Sequence, residues 1–220
     1  MVAERSAFDA DVYGIPRHVA MKKGLPKRWT ACPNFGDVIH NTFVPMKTPL
    51  SRGYDCLLDP QHMLHPEDVF STTFNGASEG AKVKLWINLA NTERYYGKGM
   101  IANHECRYEW LPLAGYKESP SVEQTEKFVE MVSEFKRKNP NDLIAVHCTH
   151  GINRTGFMIV SYLIRETKLD LATAVKEFAD ARSPGIYKEE YLADLCLRFI
   201  DGYQAGDALP FTVPAHPTWD

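Results

Sequence analysis

The stretch His147–Gly156, which reads HCTHGINRTG, lies where an apolar run gives way to a helical pattern. Leu143–Val146 is a short aliphatic segment that predicts a buried strand, and Thr155–Glu166 predicts a mostly buried helix. A loop between the two exposes the first backbone N–H groups of the helix and the positive end of its dipole. This junction predicts an α/β fold in which the loop lies at the carboxyl end of a strand.

The residue types in this loop are those of a phosphate-transfer site. Inward-pointing N–H groups and a helix dipole suit a tetrahedral dianion. The same field lowers the pKa of a cysteine, so Cys148 is expected to be a thiolate near neutral pH, and a thiolate can attack phosphorus. Arg154 is expected to offer a planar fork of donors to two phosphoryl oxygens. Thr155 is expected to place a hydroxyl beside the sulfur, where it stabilises the thiolate when that leaves.

The other loop residues are expected to shape a phosphate cradle. Gly151 and Gly156 are expected to leave room for the backbone to approach the phosphate. His147 is expected to hydrogen-bond the loop and hold its shape, whereas His150 is either a structural donor or a substrate contact. The alternative interpretation of Cys148 is a buried core cysteine, which the neighbouring arginine and helix make the weaker one. The cradle consists of Thr149, His150, Gly151, Ile152 and Asn153.

Composition limits the classes of protein to which this chain can belong. Of its 220 residues, 44% are hydrophobic and 24% charged, as expected of one soluble globular domain. The net charge of -3 argues against a broad electrostatic grip on nucleic acid, so any recognition of polyphosphate must be local. No apolar run is long enough to span a bilayer, and acids stand where a signal peptide has its apolar core. No membrane association and an intracellular location are therefore expected.

The cysteines are odd in number and widely spaced, without paired CxxC ligands. Neither a disulfide framework nor a zinc site is predicted, and no metal or other cofactor is expected. A reducing compartment suits the free thiolate that the loop chemistry requires. The five are Cys32, Cys56, Cys106, Cys148 and Cys196.

The distribution of polar and proline residues predicts three segments. Residues 1–24 are polar without a clear period and are expected to form a loosely ordered N-terminal extension. Residues 25–204 are expected to form the folded domain. Residues 205–220 include three prolines and are expected to form a tail or linker.

Hydrophobic periodicity predicts the elements inside the domain. Strands are predicted at Thr42–Lys47, Val83–Leu89 and Tyr108–Leu113, in addition to the strand before the loop. Ser121 with Gln124 has the pattern of a capping box. Strands mixed with helices predict a central mixed sheet with helices on both faces. Helix starts are predicted at Pro66, Ser121, Asp170 and Glu189.

HCTHGINRTG resembles the signature of cysteine phosphatases. Its THG-x-N interior is similar to the RNA 5'-triphosphatase branch of that superfamily, whereas ordinary tyrosine phosphatases usually carry Ser-Ala-Gly there. Four more segments resemble the N-terminal triphosphatase domain of animal mRNA capping enzymes. The resemblance implies a cysteine-phosphatase-like fold with the phosphate loop between a strand and a helix. The segments are Leu25–Pro33, Phe43–Leu50, Leu85–Tyr96 and Ala181–Leu192.

In that family the enzyme removes the γ-phosphate from the 5' end of nascent mRNA, the first step of capping, without a metal ion. The resemblance implies that Cys148 becomes a phosphocysteine that water hydrolyses, while Arg154 binds the transferring group. It implies 5'-triphosphate RNA as the substrate and the nucleus as the location. A guanylyltransferase domain or protein and RNA polymerase II are the implied candidate partners. The KxDG motif of a guanylyltransferase does not occur in this sequence.

The resemblance also suggests which charges bind the rest of the substrate. Lys47 and Arg182 are candidates for a basic rim that holds the β- and α-phosphates. Arg94 and Lys188 are weaker candidates of the same kind. The alternative for each is a solvated surface charge, which contributes little to binding.

One position departs from the family. Where capping triphosphatases usually read LxxDLTNT, this chain reads LWINLANT, with Asn88 in place of the aspartate and Ala90 in place of the threonine. Asparagine cannot move a proton in a useful pH range, so an acid/base role at this position is lost, and Glu93 is a speculative substitute. A departing phosphate group tolerates that loss, because its second ionisation lies near pH ~6.

Two other functions stay open from the sequence. A dual-specificity protein phosphatase has the same chemistry and differs only in the shape of the pocket and its rim. A non-catalytic binder of phosphorylated RNA ends is motivated by Asn88 alone. Phosphate release from triphosphate-ended RNA, compared with a phosphotyrosine peptide, separates the three.

Overall fold

A computed structural model describes residues 14–115 and 118–219 of the chain. Its centre is a four-stranded sheet in the order β1-β4-β2-β3. Strand β4 lies between β1 and β2, and every one of its residues is buried. All three strand pairs are parallel, so the prediction of a mixed sheet is corrected for this sheet. The strands are β1 (Phe43–Met46), β2 (Val83–Ala90), β3 (Arg107–Leu113) and β4 (Leu143–His147).

The helices begin close to where the sequence predicts them. Ser121 Oγ accepts a hydrogen bond from the Gln124 N–H at 3.2 Å, and Gln124 Oε1 accepts from the Ser121 N–H at 2.9 Å, which completes the predicted capping box. The helices are α1 (Arg17–Lys23), α2 (Pro66–Ser71), α3 (Gly99–Ala102), α4 (Val122–Lys138), α5 (Asn153–Tyr162), α6 (Leu171–Ala181) and α7 (Glu189–Phe199). A π turn at Leu163–Thr167 continues α5, and 3-10 turns lie at Arg52–Leu57 and Pro60–His62. In the described part of the chain, no helix has the length and apolarity needed to cross a membrane.

The sheet separates two hydrophobic clusters. Leu85 and Ile87 of β2 pack into the cluster with α4, α5, α6 and α7. Trp86, which lies between them, packs into the other cluster with α1, α2 and α3. This alternation follows the two-residue period of a strand, and it shows why β2 reads as almost entirely apolar. The prediction of an α/β fold with helices on both faces is confirmed.

Residues 14–24, which the sequence assigns to the N-terminal extension, contact the domain. Helix α1 packs against the 3-10 turn at Arg52–Leu57, and Ala20 is fully buried there. The Ile15 N–H donates to Ser51 Oγ at 3.0 Å. Because the helix has only one buried position, its polar surface hides this contact from a search for periodicity. The rest of the predicted extension, residues 1–13, lies outside the described residues.

The predicted C-terminal tail also packs on the domain. Leu209, Phe211 and Val213 are partly buried against the cluster that contains α4 to α7. Beyond them, the ring of Trp219 lies 5.4 Å from that of His150. The prolines of this segment exclude a helix, as expected, but they do not prevent an extended chain from covering apolar surface.

Candidate active site

The loop from Cys148 to Ile152 connects β4 to α5 at the carboxyl end of the sheet. Gly151 has φ +68°, and a side-chain carbon there would overlap with the Met46 carbonyl at the end of β1. Gly156 packs in the same way against Phe178 and Ile186. The expectation that these two glycines make room for phosphate is therefore corrected, since both allow close contact between parts of the protein.

Cys148 lies at the base of the loop and is 3% exposed. Burial alone would raise the pKa of its thiol, but the Arg154 charge, the Thr155 hydroxyl and the N–H groups of Thr155 and Ile152 act in the opposite direction. The result is a pKa lowered from 9.0 to about 7. A substantial part of the population is then a thiolate near neutral pH, which a buried core cysteine would not be.

Thr155 is fully buried in the first turn of α5. Among the described residues its hydroxyl makes no conventional hydrogen bond to nitrogen or oxygen. Its contact is with the Cys148 sulfur, where it helps to lower the pKa of the thiol. The hydroxyl thus lies beside the sulfur, and its role when the thiolate leaves stays a prediction.

Arg154 is held in place by two hydrogen bonds from its guanidinium. Nη1 donates to the Leu113 carbonyl at 2.9 Å, and Nη2 donates to Thr149 Oγ1 at 2.9 Å. Gly115, at φ +78°, lies so close that a side-chain carbon there would meet the guanidinium Nε at 2.7 Å. The end of β3 thus fixes the fork, and a guanidinium has further N–H groups to offer a phosphoryl oxygen.

His147 supports the loop from below, as the sequence predicts. Its Nδ1 donates to the Cys148 carbonyl at 2.9 Å, so Nε2 accepts from the Tyr96 hydroxyl at 2.6 Å. Trp86 Nε1 in turn donates to the Tyr96 oxygen at 2.9 Å. Burial lowers the pKa of His147 to about 4, with a smaller opposing effect from its bond to Cys148. The ring therefore stays neutral and orients the loop without transferring protons.

Thr149 and His150 use their polar groups to fix the loop. The Thr149 carbonyl accepts from the Thr48 N–H at 3.0 Å, in addition to the bond from Arg154. His150 Nε2 donates to the Lys27 carbonyl at 2.9 Å. His150 is therefore a structural donor, and because it also lines the pocket above Cys148, its contact with a substrate stays a prediction.

Ile152 and Asn153 connect the loop to the segment after α6. Ile152 is fully buried in a small cluster with Cys32 and Tyr187. Asn153 Oδ1 accepts from the backbone N–H groups of Tyr187 and Lys188, each at 3.1 Å. Ile152 thus holds the cradle from behind, whereas Asn153 ties the cradle to the segment after α6 and also lines the pocket.

Arg182 lies behind the loop and not at the predicted rim. Its side chain is 1% exposed. Nη2 donates to the His150 and Pro33 carbonyls at 2.8 Å each, and Nε donates to the Gly151 carbonyl at 3.3 Å. These bonds satisfy carbonyl oxygens of the loop on the side away from the pocket. The N–H groups of the loop are then left to face the pocket.

Lys47 is likewise buried, at 1% exposure, so its predicted place in the rim is also wrong. Nζ donates to the Cys32 carbonyl at 3.0 Å and lies 3.6 Å from the centre of the Trp29 ring. Burial lowers the pKa of Lys47 from 10.5 to about 8, while Cys32 raises it and Arg182 lowers it further. The sequence identifies Lys47 and Arg182 as cations, but it does not show that packing buries both side chains.

The pocket above Cys148 has a volume of about 660 Å³. Arg94 and Lys188, the weaker rim candidates, line its mouth, and their contact with a substrate stays a prediction. The lining residues that sequence reasoning missed are Pro26, Lys27, Arg28, Tyr95, Gly115, Tyr187, Tyr191 and His216. The signal that could have found most of them is the resemblance, because all but Gly115 and His216 lie inside the segments that resemble the triphosphatase domain. Within the described residues, no group of three or more His, Cys, Asp or Glu side chains is placed to hold a metal ion.

Asn88 does not line this pocket, and it is 1% exposed. Its Oδ1 accepts from the Ala90 N–H at 2.8 Å. Its Nδ2 donates to the Tyr108 hydroxyl at 3.0 Å and to the Thr92 carbonyl at 3.3 Å. Asn88 therefore fixes the turn after β2, and the loss of an acid/base role at this position stays a prediction. Glu93 approaches Tyr108 and is also absent from the pocket lining, and its role as a substitute base stays a prediction.

Comparison with known proteins agrees with this geometry. The model of the dual specificity phosphatase catalytic domain matches residues 70–199. The chain is 41% identical to an mRNA-capping enzyme of Caenorhabditis elegans over 200 residues, which are 90% of this chain and 31% of that enzyme. An mRNA-capping enzyme of Danio rerio is 38% identical over 89% of this chain and 31% of its own length. The chain thus spans less than a third of the capping enzymes that it matches.

A relative that the chain covers more fully is an RNA/RNP complex-1-interacting phosphatase homolog of Caenorhabditis elegans. It is 35% identical over 79% of this chain and 75% of its own length. Among solved structures, Tk-PTP in the active form has a TM-score of 0.54 at 18% identity and covers 74% of this chain and 94% of its own. PTPMT1 in complex with PI(5)P has a TM-score of 0.53 at 16% identity over 76% and 94%, a likeness of fold. Because the family model matches more than half of the chain and includes the Cys148 loop, this protein belongs to the dual specificity phosphatase family of cysteine phosphatases.

Proposed function

We propose that this protein is an RNA 5'-triphosphatase that removes the γ-phosphate of nascent mRNA. The observation that carries the proposal is the extent of the pocket. Its lining contains Cys148 and Arg154 together with Arg28, Arg94 and Lys188, of which Arg28 and Arg94 are exposed and Lys188 is half-buried, so these three are assigned to its mouth. A single phosphate fills the loop, so cations farther out suit a substrate with more phosphates. The identity with capping enzymes supports the same choice.

The lining of the pocket is positively charged, whereas the chain as a whole is slightly acidic. The chain as a whole carries a net charge of -3. At the mouth, Arg28 and Arg94 are exposed, and Arg94 lies with its guanidinium carbon 4.7 Å from the centre of the Tyr95 ring. Local cations on a neutral or acidic surface favour the anionic end of an RNA over its backbone.

In the first chemical step, the Cys148 thiolate attacks the γ-phosphorus and forms an S–P bond. The bond between the γ-phosphorus and the bridging oxygen breaks, and that oxygen leaves with the electron pair on the β-phosphate. No proton has to be supplied, because a phosphate leaves readily as an anion. Arg154 and the N–H groups of the loop hold the equatorial oxygens as their charge grows.

In the second step, water attacks the phosphocysteine and the S–P bond breaks. The sulfur leaves as a thiolate, and inorganic phosphate takes the oxygen of the water, whose protons pass to phosphate and solvent. Thr155 stabilises the departing sulfur through its buried hydroxyl. Neither step requires a metal ion, since the guanidinium and the N–H groups supply the positive field.

The proposal extends to the setting of the reaction. A 5'-diphosphate end is the substrate for guanylylation, so a guanylyltransferase, as a further domain or as a separate protein, is the proposed partner. RNA polymerase II and a nuclear location follow from a nascent transcript as substrate. These proposals are supported by the similarity to capping enzymes alone.

The decisive experiment compares two substrates in excess EDTA. Triphosphate-ended RNA with a labelled γ-phosphate and a phosphotyrosine peptide are incubated with the chain and with Cys148→Ser. We expect γ-phosphate release, with a kcat/KM for RNA at least about a hundredfold above that for the peptide. Turnover of the peptide alone would contradict the proposal.

The family match makes a dual-specificity protein phosphatase the second candidate. The same comparison tests it, because that function predicts the opposite preference. The third function, a non-catalytic binder, was motivated by Asn88. Asn88 holds a turn and does not line the pocket, so it gives this third function little support.

A further inference from the structure

The last described segment, residues 209–219, is here named the C-terminal wall. It contains no helix or strand. Alternate apolar residues hold it in place, with Leu209, Phe211 and Val213 packed on the domain core. Pro214 lies near Gly185, where a side-chain carbon would approach the proline ring to 3.5 Å. The wall is thus seated by several contacts that lie outside the active site.

The end of the C-terminal wall reaches the pocket. The His216 side chain lines the same 660 Å³ space as Cys148 and Arg154. Its ring packs edge-to-face on Tyr187, with the ring centres 4.6 Å apart. Three residues later, Trp219 packs on the His150 ring of the phosphate loop. The wall therefore contacts the loop and also forms part of the mouth.

Tyr187 ties His216 to the catalytic group. The backbone N–H of Tyr187 donates to Asn153 Oδ1 at 3.1 Å, and Asn153 is the first residue of α5. The platform on which His216 rests is therefore fixed relative to Cys148. An imidazole on this platform has a defined place in the pocket, as a group that contacts substrate must have.

The other polar residues at the mouth indicate the chemistry of the ligand. His216 shares the mouth with Arg28, Arg94 and Lys188. The loop and Arg154 take the first phosphate, so a ligand that continues outward meets these groups next. An N–H donor among cations suits anionic oxygens.

We propose that the C-terminal wall makes the pocket selective for ligands with more than one phosphate, and that His216 donates a hydrogen bond to a phosphate beyond the one transferred. The choice of substrate rests on the proposed function. His216 lies outside the region that the family model matches, which ends at residue 199.

The test uses the full chain and three variants, His216→Ala, His216→Gln and Thr218→Ala. Values of kcat and KM are measured with triphosphate-ended RNA and with p-nitrophenyl phosphate. Inhibition of p-nitrophenyl phosphate hydrolysis by inorganic tripolyphosphate and by orthophosphate is measured in parallel. Thr218 is the matched control, because it is exposed on the same wall and does not line the pocket.

We expect His216→Ala to raise the KM for RNA and the inhibition constant of tripolyphosphate by about tenfold, with kcat within about twofold. Values for orthophosphate and p-nitrophenyl phosphate stay within about twofold, because these ligands end inside the loop. His216→Gln, which keeps an N–H donor, recovers most of the loss. Thr218→Ala changes none of them.

An equal loss for tripolyphosphate and orthophosphate overturns the proposal, because His216 would then act through the loop. No loss for either overturns it as well. If RNA is cleaved normally by His216→Ala, the inference fails and the proposed function stands. A third outcome separates the two proposals. If the wild-type chain does not cleave RNA, but His216→Ala still weakens inhibition by tripolyphosphate and not by orthophosphate, the proposed function fails and the selectivity of the C-terminal wall stands.

Discussion

The two sides of the phosphate loop carry the same kinds of residue and use them differently. On the buried side, Lys47 and Arg182 are each 1% exposed, and they donate hydrogen bonds to backbone carbonyls, although Arg182 Nη1 has no hydrogen-bond partner among the described residues. On the pocket side, Arg94 and Lys188 line an open mouth. A cation near a phosphate loop therefore either shapes the loop or binds what enters it.

The difference follows from what burial does to a cation. A buried guanidinium must satisfy its donors within the protein, and each satisfied carbonyl then turns away from the pocket. An exposed guanidinium contributes little to stability. That of Arg94 uses Nη2 to donate to the Tyr95 hydroxyl at 2.7 Å and has further N–H groups to offer a ligand. Removing a residue from the buried side should therefore lower stability, and removing one from the pocket side should weaken binding.

The largest expected effect is on the pocket side, at the nucleophile. Cys148→Ser should lower turnover by at least about a thousandfold, roughly 4 kcal/mol in barrier, because serine has no anion at neutral pH. The unfolding midpoint should change little. Cys56→Ser is the control, since Cys56 is an exposed cysteine elsewhere on the chain. Equal activity in Cys148→Ser and Cys56→Ser would remove Cys148 from the mechanism.

The next effect is on the buried side. Arg182→Met should lower the free energy of unfolding by about 3 kcal/mol, because the carbonyls of Pro33, His150 and Gly151 lose their donor. Arg94→Met is the matched variant on the pocket side and should change it by less than about 0.5 kcal/mol. Urea unfolding of both proteins gives the comparison. Similar losses from both would mean that the two sides do not differ as described.

Local patterns in the sequence predicted the parts of the structure that depend on local rules. The apolar run at Leu143–Val146 and the caps at Ser121 and Asp170 each form as expected. Cys148, Arg154 and Thr155 come together because one short loop positions all three. These features need only neighbours in the chain.

Features that depend on distant packing could not be predicted in this way. Lys47 and Arg182 come close to the loop from positions far apart in the sequence, and nothing local indicates which side of it they reach. His216 reaches the pocket because alternate apolar residues seat the tail, a pattern that the prolines obscured. Asn88 stands at the family's aspartate position in the sequence. Its hydrogen bond from the Ala90 N–H, which stabilises the turn after β2, appears only in the structure.

The pH dependence of turnover tests the electrostatics of the pocket side. Cys148 has a pKa of about 7, so the thiol accumulates below that pH and the reactive thiolate is lost. The kcat/KM should fall about tenfold per unit as pH drops from about 6 to 5. His147, with a pKa lowered to about 4, stays neutral and adds nothing in this range. A limb centred near pH ~8.5, the value of an unperturbed thiol, would contradict the account.

Asn88→Asp sharpens the comparison at a buried turn near the site. An aspartate keeps the acceptor for Ala90 but cannot donate to Thr92 or Tyr108 as the amide does. We expect a loss of about 1–2 kcal/mol in the free energy of unfolding. Turnover of triphosphate-ended RNA and of a phosphotyrosine peptide should each change by less than about threefold. A large gain on either substrate would mean that this position takes part in proton transfer.

The smallest effects are expected at the mouth. Arg94→Met and Lys188→Met should each raise the KM for triphosphate-ended RNA about three- to fivefold and leave kcat unchanged, because each removes one partly solvated contact. The increase should shrink at high salt, where such contacts are screened. Steady-state kinetics at two salt concentrations measures both. If KM does not change, these residues are solvated surface charges.

The central claim, that Cys148 takes up the terminal phosphate of a triphosphate end, is tested most directly by trapping the intermediate. RNA labelled at the γ-phosphate is mixed with the chain in excess EDTA and quenched in acid, and the labelled peptide is identified by mass spectrometry. The account predicts a phosphocysteine at Cys148, no label in Cys148→Ser, and no label from RNA marked only at the α-phosphate. Release of γ-phosphate by the Cys148→Ser variant, or release that requires added magnesium, would contradict it.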